Sequence, residues 1–127
     1  MKRLSVVVPV KNEARNVTPL VRRIHAALKK ANIVYDIIFI DDHSSDDTVK
    51  ILRELREKYP ITTRTKRGKP GKAYSILEGS KLAKSEFVAM IDGDLQYPPE
   101  LLPEMYDLAV THGVARKQNK ETHKLHS

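Results

Sequence analysis

Three short apolar runs rich in valine and isoleucine constrain the fold more than any other feature of this sequence. They span residues 4–10, 37–40 and 87–91. Each run is apolar at nearly every position, which is typical of a strand buried on both faces of a sheet. Between the runs, apolar residues recur every three or four positions, as on one face of a helix. This alternation predicts an α/β fold with a mainly parallel, open sheet and right-handed crossovers.

The remaining elements follow from the same periodicity. Helical stripes run over residues 17–28, 51–59, 73–80 and 101–108, and residues 61–65 form a weaker strand-like segment. Thr18 and Pro19 are suited to the N-cap and first turn of the first helix. The apolar stripe of the last helix is formed by Leu101, Leu102, Met105 and Leu108. We expect one domain over residues 1–113, followed by a polar, basic tail over residues 114–127.

Composition excludes several kinds of protein. The chain is 40% hydrophobic and 31% charged, which suits a soluble globular domain. No apolar run approaches the roughly 20 residues that a membrane-spanning helix needs. The sequence has no cysteine, so disulfides, thiolate metal sites and cysteine nucleophiles are excluded.

The net charge of +7 is concentrated in two segments. Residues 64–72 carry five basic residues and no acidic one, and residues 116–124 carry a net charge of three. The rest of the chain is therefore close to neutral. A non-catalytic basic module that binds anionic membrane or nucleic acid is one interpretation. Neither segment interleaves aromatic residues, which disfavours base stacking, so we expect no nucleic-acid partner.

Polar side chains follow each of the three buried runs. They are Asn12 and Glu13, then Asp41 and Asp42, then Asp92 and Asp94. Ligands of open parallel sheets bind beyond the carboxyl ends of the strands, so these residues are expected to gather at one edge. Carboxylates placed together repel one another unless a cation or hydrogen-bond donors are present. One such pair arises easily by chance, whereas three at the same kind of position indicate a site.

The glycines restrict what this site can bind. All five lie at position 68 or later, which excludes the dinucleotide-binding fingerprint and the P-loop after the first strand. A bound diphosphate would then be neutralised by a metal. Asp92 and Asp94, separated by Gly93, can both turn toward one hard cation, Mg²⁺ or Mn²⁺.

Four motifs together carry a resemblance to a known family. Residues 5–13, 41–48, 71–73 and 92–96 read SVVVPVKNE, DDHSSDDT, GKA and DGDLQ, in that order. Together they resemble the nucleotide-sugar half of family 2 glycosyltransferases, which have the Rossmann-like GT-A fold. The DLQYPPE version of the last motif is similar to the polyprenyl-phosphate (dolichyl-phosphate) mannosyl and glucosyl transferase branch. The resemblance covers residues 4 to about 105.

The resemblance implies a role for the residues of these motifs. On the nucleotide-sugar side they are Pro9, Asn12, Glu13, Asp41, Asp42, Lys72, Asp92 and Gly93. Among them Asp41 would bond the base or ribose. Asp92 and Asp94 would be the catalytic carboxylates and, with Gln96, the ligands of Mg²⁺ or Mn²⁺. Arg116 would contact the phosphate of the acceptor.

The implied reaction is an inverting transfer from GDP-mannose or a UDP-hexose to a polyprenyl phosphate, at the cytoplasmic face of a membrane. A phosphate acceptor is already anionic near neutral pH, so it needs positioning and charge relief more than a general base. Such enzymes continue well past residue 127, so we expect residues 114–127 to begin an acceptor region and the chain to be catalytically incomplete. A haloacid-dehalogenase-like phosphatase is a weaker alternative, because that family carries its D-x-D motif on the first strand.

Overall fold

The computed structural model describes residues 3–112 and contains, in that range, one sheet of four parallel strands. The strands are β1 (Arg3–Val10), β2 (Val34–Asp41), β3 (Ile61–Thr65) and β4 (Phe87–Met90). They are arranged in the order β3-β2-β1-β4. The register pairs Val7 of β1 with Ile38 on one side and Met90 on the other. The predicted α/β class with a parallel sheet is confirmed.

Helices cover both faces of this sheet. They are α1 (Val17–Lys30), α2 (Thr48–Leu55), α3 (Lys72–Leu82) and α4 (Leu102–His112), and a 3-10 turn (Pro99–Leu101) precedes α4. On one face α1 lies between α2 and α4, while on the other face α3, among the helices described, packs against β1 and β2. Within the described part of the chain, no helix is long and apolar enough to cross a membrane.

The two faces of the sheet give two separate cores. Val6 and Val8 of β1 belong to the larger core, with the buried stripe of α1. Val7, between them, belongs to the smaller core under α3, together with Ile38 and Met90. Because side chains alternate along a strand, each central strand must be apolar at both odd and even positions. This requirement explains the continuous apolar runs in the sequence.

Helix α3 packs closely against the sheet through small residues on its inner face. Ser75, Gly79 and Ser80 are buried on that face. A Cβ on Gly79 would overlap Cγ1 of Val7 and lie 3.2 Å from Cγ1 of Ile40. The glycine therefore allows the helix to pack directly against β1 and β2.

Two local predictions are wrong. Helix α1 begins at Val17 after Asn16, so Thr18 lies inside the first turn instead of at the N-cap, whereas Pro19 lies in the first turn as predicted. In α4 the buried side is formed by Leu102, Tyr106 and Ala109, whereas Leu101 and Leu108 are exposed. The segment begins with a tighter 3-10 turn, so an α-helical count from residue 101 gives the wrong phase.

Candidate functional site

The strand order places a crevice between the carboxyl ends of β1 and β4. The chain runs outward from β1 to β2 and β3 and then returns to β4 on the other side of β1. This reversal is the place where open α/β sheets bind ligands. An open cavity of about 140 Å³ lies there, between the loops that follow β1 and β4 and the start of α3.

Most of the predicted site residues line this cavity. They are Pro9, Glu13, Asp42, Lys72, Asp92, Gly93 and Asp94. Val10, Lys11 and Ser75 also line it and are absent from the predicted set. Val10 and Lys11 lie inside the first motif, and Ser75 is nearly one helical turn after Lys72, so the motifs already indicated their positions. Asn12, Asp41 and Gln96 are not among the lining residues of the described segment.

Asn12 holds two loops together instead of facing the cavity. Its Oδ1 accepts hydrogen bonds from the backbone N–H of Ser45 (2.8 Å) and Asp46 (3.3 Å). Its own N–H donates to Oγ of Ser44 at 2.8 Å. Its φ of 55° lies in the left-handed region, which asparagine tolerates better than most residues. The loop after β1 is therefore fixed to the loop after β2.

Asp41 is likewise bonded within its own loop. Its side chain is buried, and Oδ1 accepts the hydroxyl hydrogen of Ser44 at 2.5 Å while Oδ2 accepts the Ser44 N–H at 3.1 Å. Asp42, the next residue, turns toward the cavity instead. The two adjacent carboxylates thus have different surroundings, and the predicted contact of Asp41 with a base or ribose stays a prediction.

A buried lysine stands behind the cavity. The Lys66 side chain is 1% exposed, and its ammonium lies 3.2 Å from Oδ2 of Asp42 and donates to the carbonyl oxygen of Gly71 at 2.7 Å. In the sequence this residue is one of five positive charges in an apparently basic surface segment. Lys66 comes directly after β3, at the same sheet edge as the acidic residues, and this position is the signal that could have distinguished it from the other basic residues of the segment.

The first residue of α3 contacts the acidic cluster. Gly71 precedes the helix with a φ of 111°, a conformation that glycine adopts without strain. Lys72 follows, and its ammonium lies 3.0 Å from Oδ1 of Asp92. The hydrogen bond with Asp92 is the main reason that the pKa of Lys72 is raised, and the charges of Asp92, Asp94 and Glu13 raise it further.

Gly93 is required by close packing more than by flexibility. A Cβ at this position would lie 2.7 Å from Cγ1 of Val10 and 3.3 Å from the carbonyl oxygen of Pro9. The loop after β4 therefore runs directly against the end of β1. Asp94 then closes a turn, because its Oδ1 accepts the N–H of Gln96 at 3.1 Å.

The donor set fits a metal that arrives with a diphosphate. No group of three or more histidine, aspartate or glutamate residues in the described range is arranged to hold a metal by itself. Asp92 and Asp94 nevertheless line one cavity, with Glu13 beside them. Mg²⁺ is commonly held by one or two carboxylates together with substrate phosphates and water. The pair therefore suits such a shared metal, while Arg116, the predicted acceptor residue, lies outside the described residues.

The family follows from comparison with known sequences. Residues 5–115 match the family model described as glycosyl transferase family 2. The chain belongs to this family. The predicted family and its likeness to the polyprenyl-phosphate branch are confirmed, and the phosphatase alternative is left without support.

Two curated relatives show the likeness in detail. Dolichol-phosphate mannosyltransferase of Pyrococcus furiosus is 34% identical over 111 residues, which are 87% of this chain and 31% of the relative. Undecaprenyl-phosphate 4-deoxy-4-formamido-L-arabinose transferase of Pseudomonas savastanoi pv. phaseolicola is 35% identical over 111 residues, covering 86% and 33%. The chain thus spans about a third of the length of these relatives.

Solved structures confirm the GT-A fold. S. aureus TarS in complex with UDP-GlcNAc superposes with a TM-score of 0.64 at 29% identity, covering 89% of this chain and 32% of that one. The mannosyltransferase PcManGT from Pyrobaculum calidifontis, solved with GDP-Man and Mn²⁺, gives a TM-score of 0.65 at 23% identity, covering 84% and 32%. At 23% identity, the likeness to PcManGT shows the fold alone.

Proposed function

We propose that this chain is the donor-binding part of a glycosyltransferase that transfers a sugar from a nucleoside diphosphate to a polyprenyl phosphate. The observation that carries the proposal is the convergence of Glu13, Asp92, Asp94 and Lys72 on one cavity at the reversal of the strand order. The family match supports sugar transfer. The named substrates of the relatives support a polyprenyl phosphate acceptor, and the UDP-GlcNAc complex of TarS supports a nucleotide-sugar donor.

Binding of a diphosphate at this cavity requires a cation. Glu13, Asp92 and Asp94 would repel an anionic ligand, and Lys11 and Lys72 offset them only in part. Asp92 and Asp94 would hold Mg²⁺ or Mn²⁺, with Gln96 as a further proposed ligand. The metal, when bound, supplies charge neutralisation for the leaving diphosphate. Lys72 and Lys11, which also line the cavity, would contribute the remaining positive charge.

The other residues would position the donor. Pro9 and Glu13 would border the nucleotide, and Asp42, fixed by Lys66, would present its carboxylate to the ribose or base beside Asp41. The acceptor phosphate would attack the anomeric carbon from the face opposite the diphosphate, which inverts its configuration. Arg116 is the proposed contact of that phosphate, at the cytoplasmic surface of a membrane.

The local positive charge of residues 64–72 is consistent with this function. Lys66 is buried against Asp42, and Lys72 pairs with Asp92. Two of the five charges thus serve the acidic cavity. The segment therefore gives less support to a separate basic module than its composition indicated.

A thermal-unfolding experiment tests the proposal. GDP and UDP are added with Mn²⁺, with Mg²⁺ or with EDTA, and guanosine, uridine and inorganic diphosphate serve as controls. At a free ligand concentration 100-fold above Kd, the matching nucleotide should stabilise the chain by about 2.7 kcal/mol, and only when metal is present. Equal stabilisation with EDTA would contradict the role of the metal. No stabilisation by either nucleotide would contradict donor binding.

A further inference from the structure

The Lys72 ammonium lies where the fields of three carboxylates overlap. It is 3.0 Å from Oδ1 of Asp92, and Asp94 and Glu13 line the same cavity. The raised pKa of Lys72 arises from these three acids, with Asp92 contributing most. A divalent metal bound by Asp92 and Asp94 would need the same region of negative potential. The Lys72 ammonium and the metal would therefore both need the negative potential around Asp92 and Asp94.

The backbone at the base of this lysine is fixed, whereas its side chain is free to move. The buried Lys66 bonds the carbonyl oxygen of Gly71, and this bond anchors the first turn of α3. The Lys72 side chain is 66% exposed and its Asp92 partner 45% exposed. Four carbon atoms separate the ammonium from the backbone, so a rotation of the stem moves the charge by several ångströms while the helix stays in place.

The ion pair is weak enough to exchange. Exposed lysine–carboxylate pairs contribute little to stability, because water solvates both partners well. A divalent cation gains more from two carboxylates than a single ammonium does. The ammonium that leaves Asp92 would find a new anionic partner in a bound diphosphate, since Lys72 lines the cavity that would receive it.

We propose that Lys72 competes with the divalent metal for Asp92, and that a bound diphosphate relieves this competition by drawing the ammonium away. The proposal rests on the proposed function for the identity of the diphosphate. It assigns to Lys72 the coupling of metal binding to donor binding: the protein alone binds metal weakly, and the diphosphate strengthens that binding. Because coupling between two ligands is reciprocal, the metal strengthens diphosphate binding by the same factor.

The first test measures Mn²⁺ binding without nucleotide. The 127-residue chain is titrated with Mn²⁺, and the free ion is followed by its electron paramagnetic resonance signal. Lys72→Met should bind Mn²⁺ about threefold to tenfold more tightly than the wild type, because a competing cation and its repulsion are gone. Lys72→Arg, which keeps the charge, should stay near the wild type. Lys81→Met removes an exposed charge from the last turn of the same helix and should change the affinity less than about twofold.

The second test repeats the Mn²⁺ titration with saturating GDP or UDP. The nucleotide should tighten Mn²⁺ binding strongly in the wild type and in Lys81→Met, and clearly less in Lys72→Met. The proposal would be overturned if Lys72→Met bound no detectable Mn²⁺, or bound it no more tightly than Lys81→Met does. Tighter Mn²⁺ binding by Lys72→Met in a chain that binds neither nucleotide would support the competition and contradict the proposed donor. Circular dichroism of each variant establishes that all are folded.

Discussion

At the scale of single residues, Asp41 and Asp94 occupy surroundings that predict different effects of mutation. Asp41 is buried and both of its oxygens bond Ser44, whereas Asp94 lines the cavity. Asp94→Ala should leave nucleoside binding nearly intact and abolish the increment that Mn²⁺ gives to nucleoside diphosphate binding. Asp41→Ala should weaken nucleoside binding itself and destabilise the fold by about 1–3 kcal/mol, since the N–H and the hydroxyl hydrogen of Ser44 lose their acceptor. Calorimetric titration with guanosine, uridine, GDP and UDP measures both effects.

Ser44→Ala is the control for Asp41, because it removes the hydroxyl bond and keeps the carboxylate. If Asp41 contacts the nucleoside, Ser44→Ala should affect binding much less than Asp41→Ala does. Identical losses in Asp41→Ala and Asp94→Ala would show that the two roles are wrongly assigned.

Gly93 gives a second prediction at this scale. Gly93→Ala should lower the free energy of unfolding by about 1–3 kcal/mol, because its Cβ would lie 2.7 Å from Val10 Cγ1 and 3.3 Å from a backbone oxygen. Gly68→Ala is the matched control, since its Cβ would find only a flexible Glu78 oxygen at 3.7 Å. Urea unfolding compares the two. Equal stability of both variants would mean that the loop after β4 does not depend on its close approach to β1.

The same residues show what a sequence reveals of a site. The D-x-D motif predicted two carboxylates at the end of a buried strand, and the structure places both at the cavity. The sequence did not reveal that Asn12 is used by its neighbouring loop, or that Lys66 is buried beside Asp42. Those contacts join segments more than 20 residues apart, and they depend on which strands are neighbours. Local patterns of residues do not contain that information.

At the scale of elements, an ion pair joins α1 to the turn before α4. Arg23 bonds Glu100 through two nitrogen–oxygen contacts of 2.8 and 2.6 Å. This hydrogen bonding holds the pKa of Glu100 below its ordinary value. A carboxyl whose pKa is lower in the folded state stabilises the fold at any pH above its unfolded pKa of about 4.3. This stability is lost as the pH falls through the pKa of the folded state.

Glu100→Gln should therefore lower the urea midpoint slightly at pH 7, and the difference from the wild type should disappear in strong acid. The effect should be small and weakened by salt, because both side chains are substantially exposed. Glu104→Gln, which removes an exposed carboxylate from the first turn of α4, is the control and should show a smaller loss at pH 7. A loss for Glu100→Gln that persists unchanged at pH 2 would mean that the ion pair is not its cause.

At the same scale, the prediction of elements succeeded where burial left a local signal. The strands β1 and β4 and the second half of β2 are buried on both faces, so most residues there are apolar. Helix α3 was located, and Ile76 and Ser80 of its predicted stripe pack inward, but Ser75 and Gly79 were not identified because small residues give no apolar signal. The need for small residues arises from the distance between α3 and the sheet, which is a property of the packed structure.

At the scale of the whole molecule, the site depends on the strand order. The sequence predicted that the acidic residues meet at one edge of the sheet, without predicting which strands are neighbours. The order β3-β2-β1-β4 brings Gly93 against Val10, more than 80 positions away in the chain. It also leaves the loops after β1 and β4 on either side of the crevice. The proposed donor site is therefore a product of the topology, and single motifs identify its residues without giving its shape.

The last prediction concerns activity: the 127-residue chain should bind a nucleotide-sugar and transfer the sugar poorly. The donor side is formed by described residues, but the match covers only about a third of each relative. Efficient transfer needs the acceptor oxygen held in line, about 3–3.5 Å from the anomeric carbon, and such orientation supplies about 7–11 kcal/mol. With radiolabelled GDP-mannose or UDP-glucose and polyprenyl phosphate in detergent, we expect at most slow, metal-dependent hydrolysis of the donor, which Asp94→Ala should abolish. Turnover of about 1–10³ per second, the usual enzymatic range, would show instead that these 127 residues build a full acceptor site.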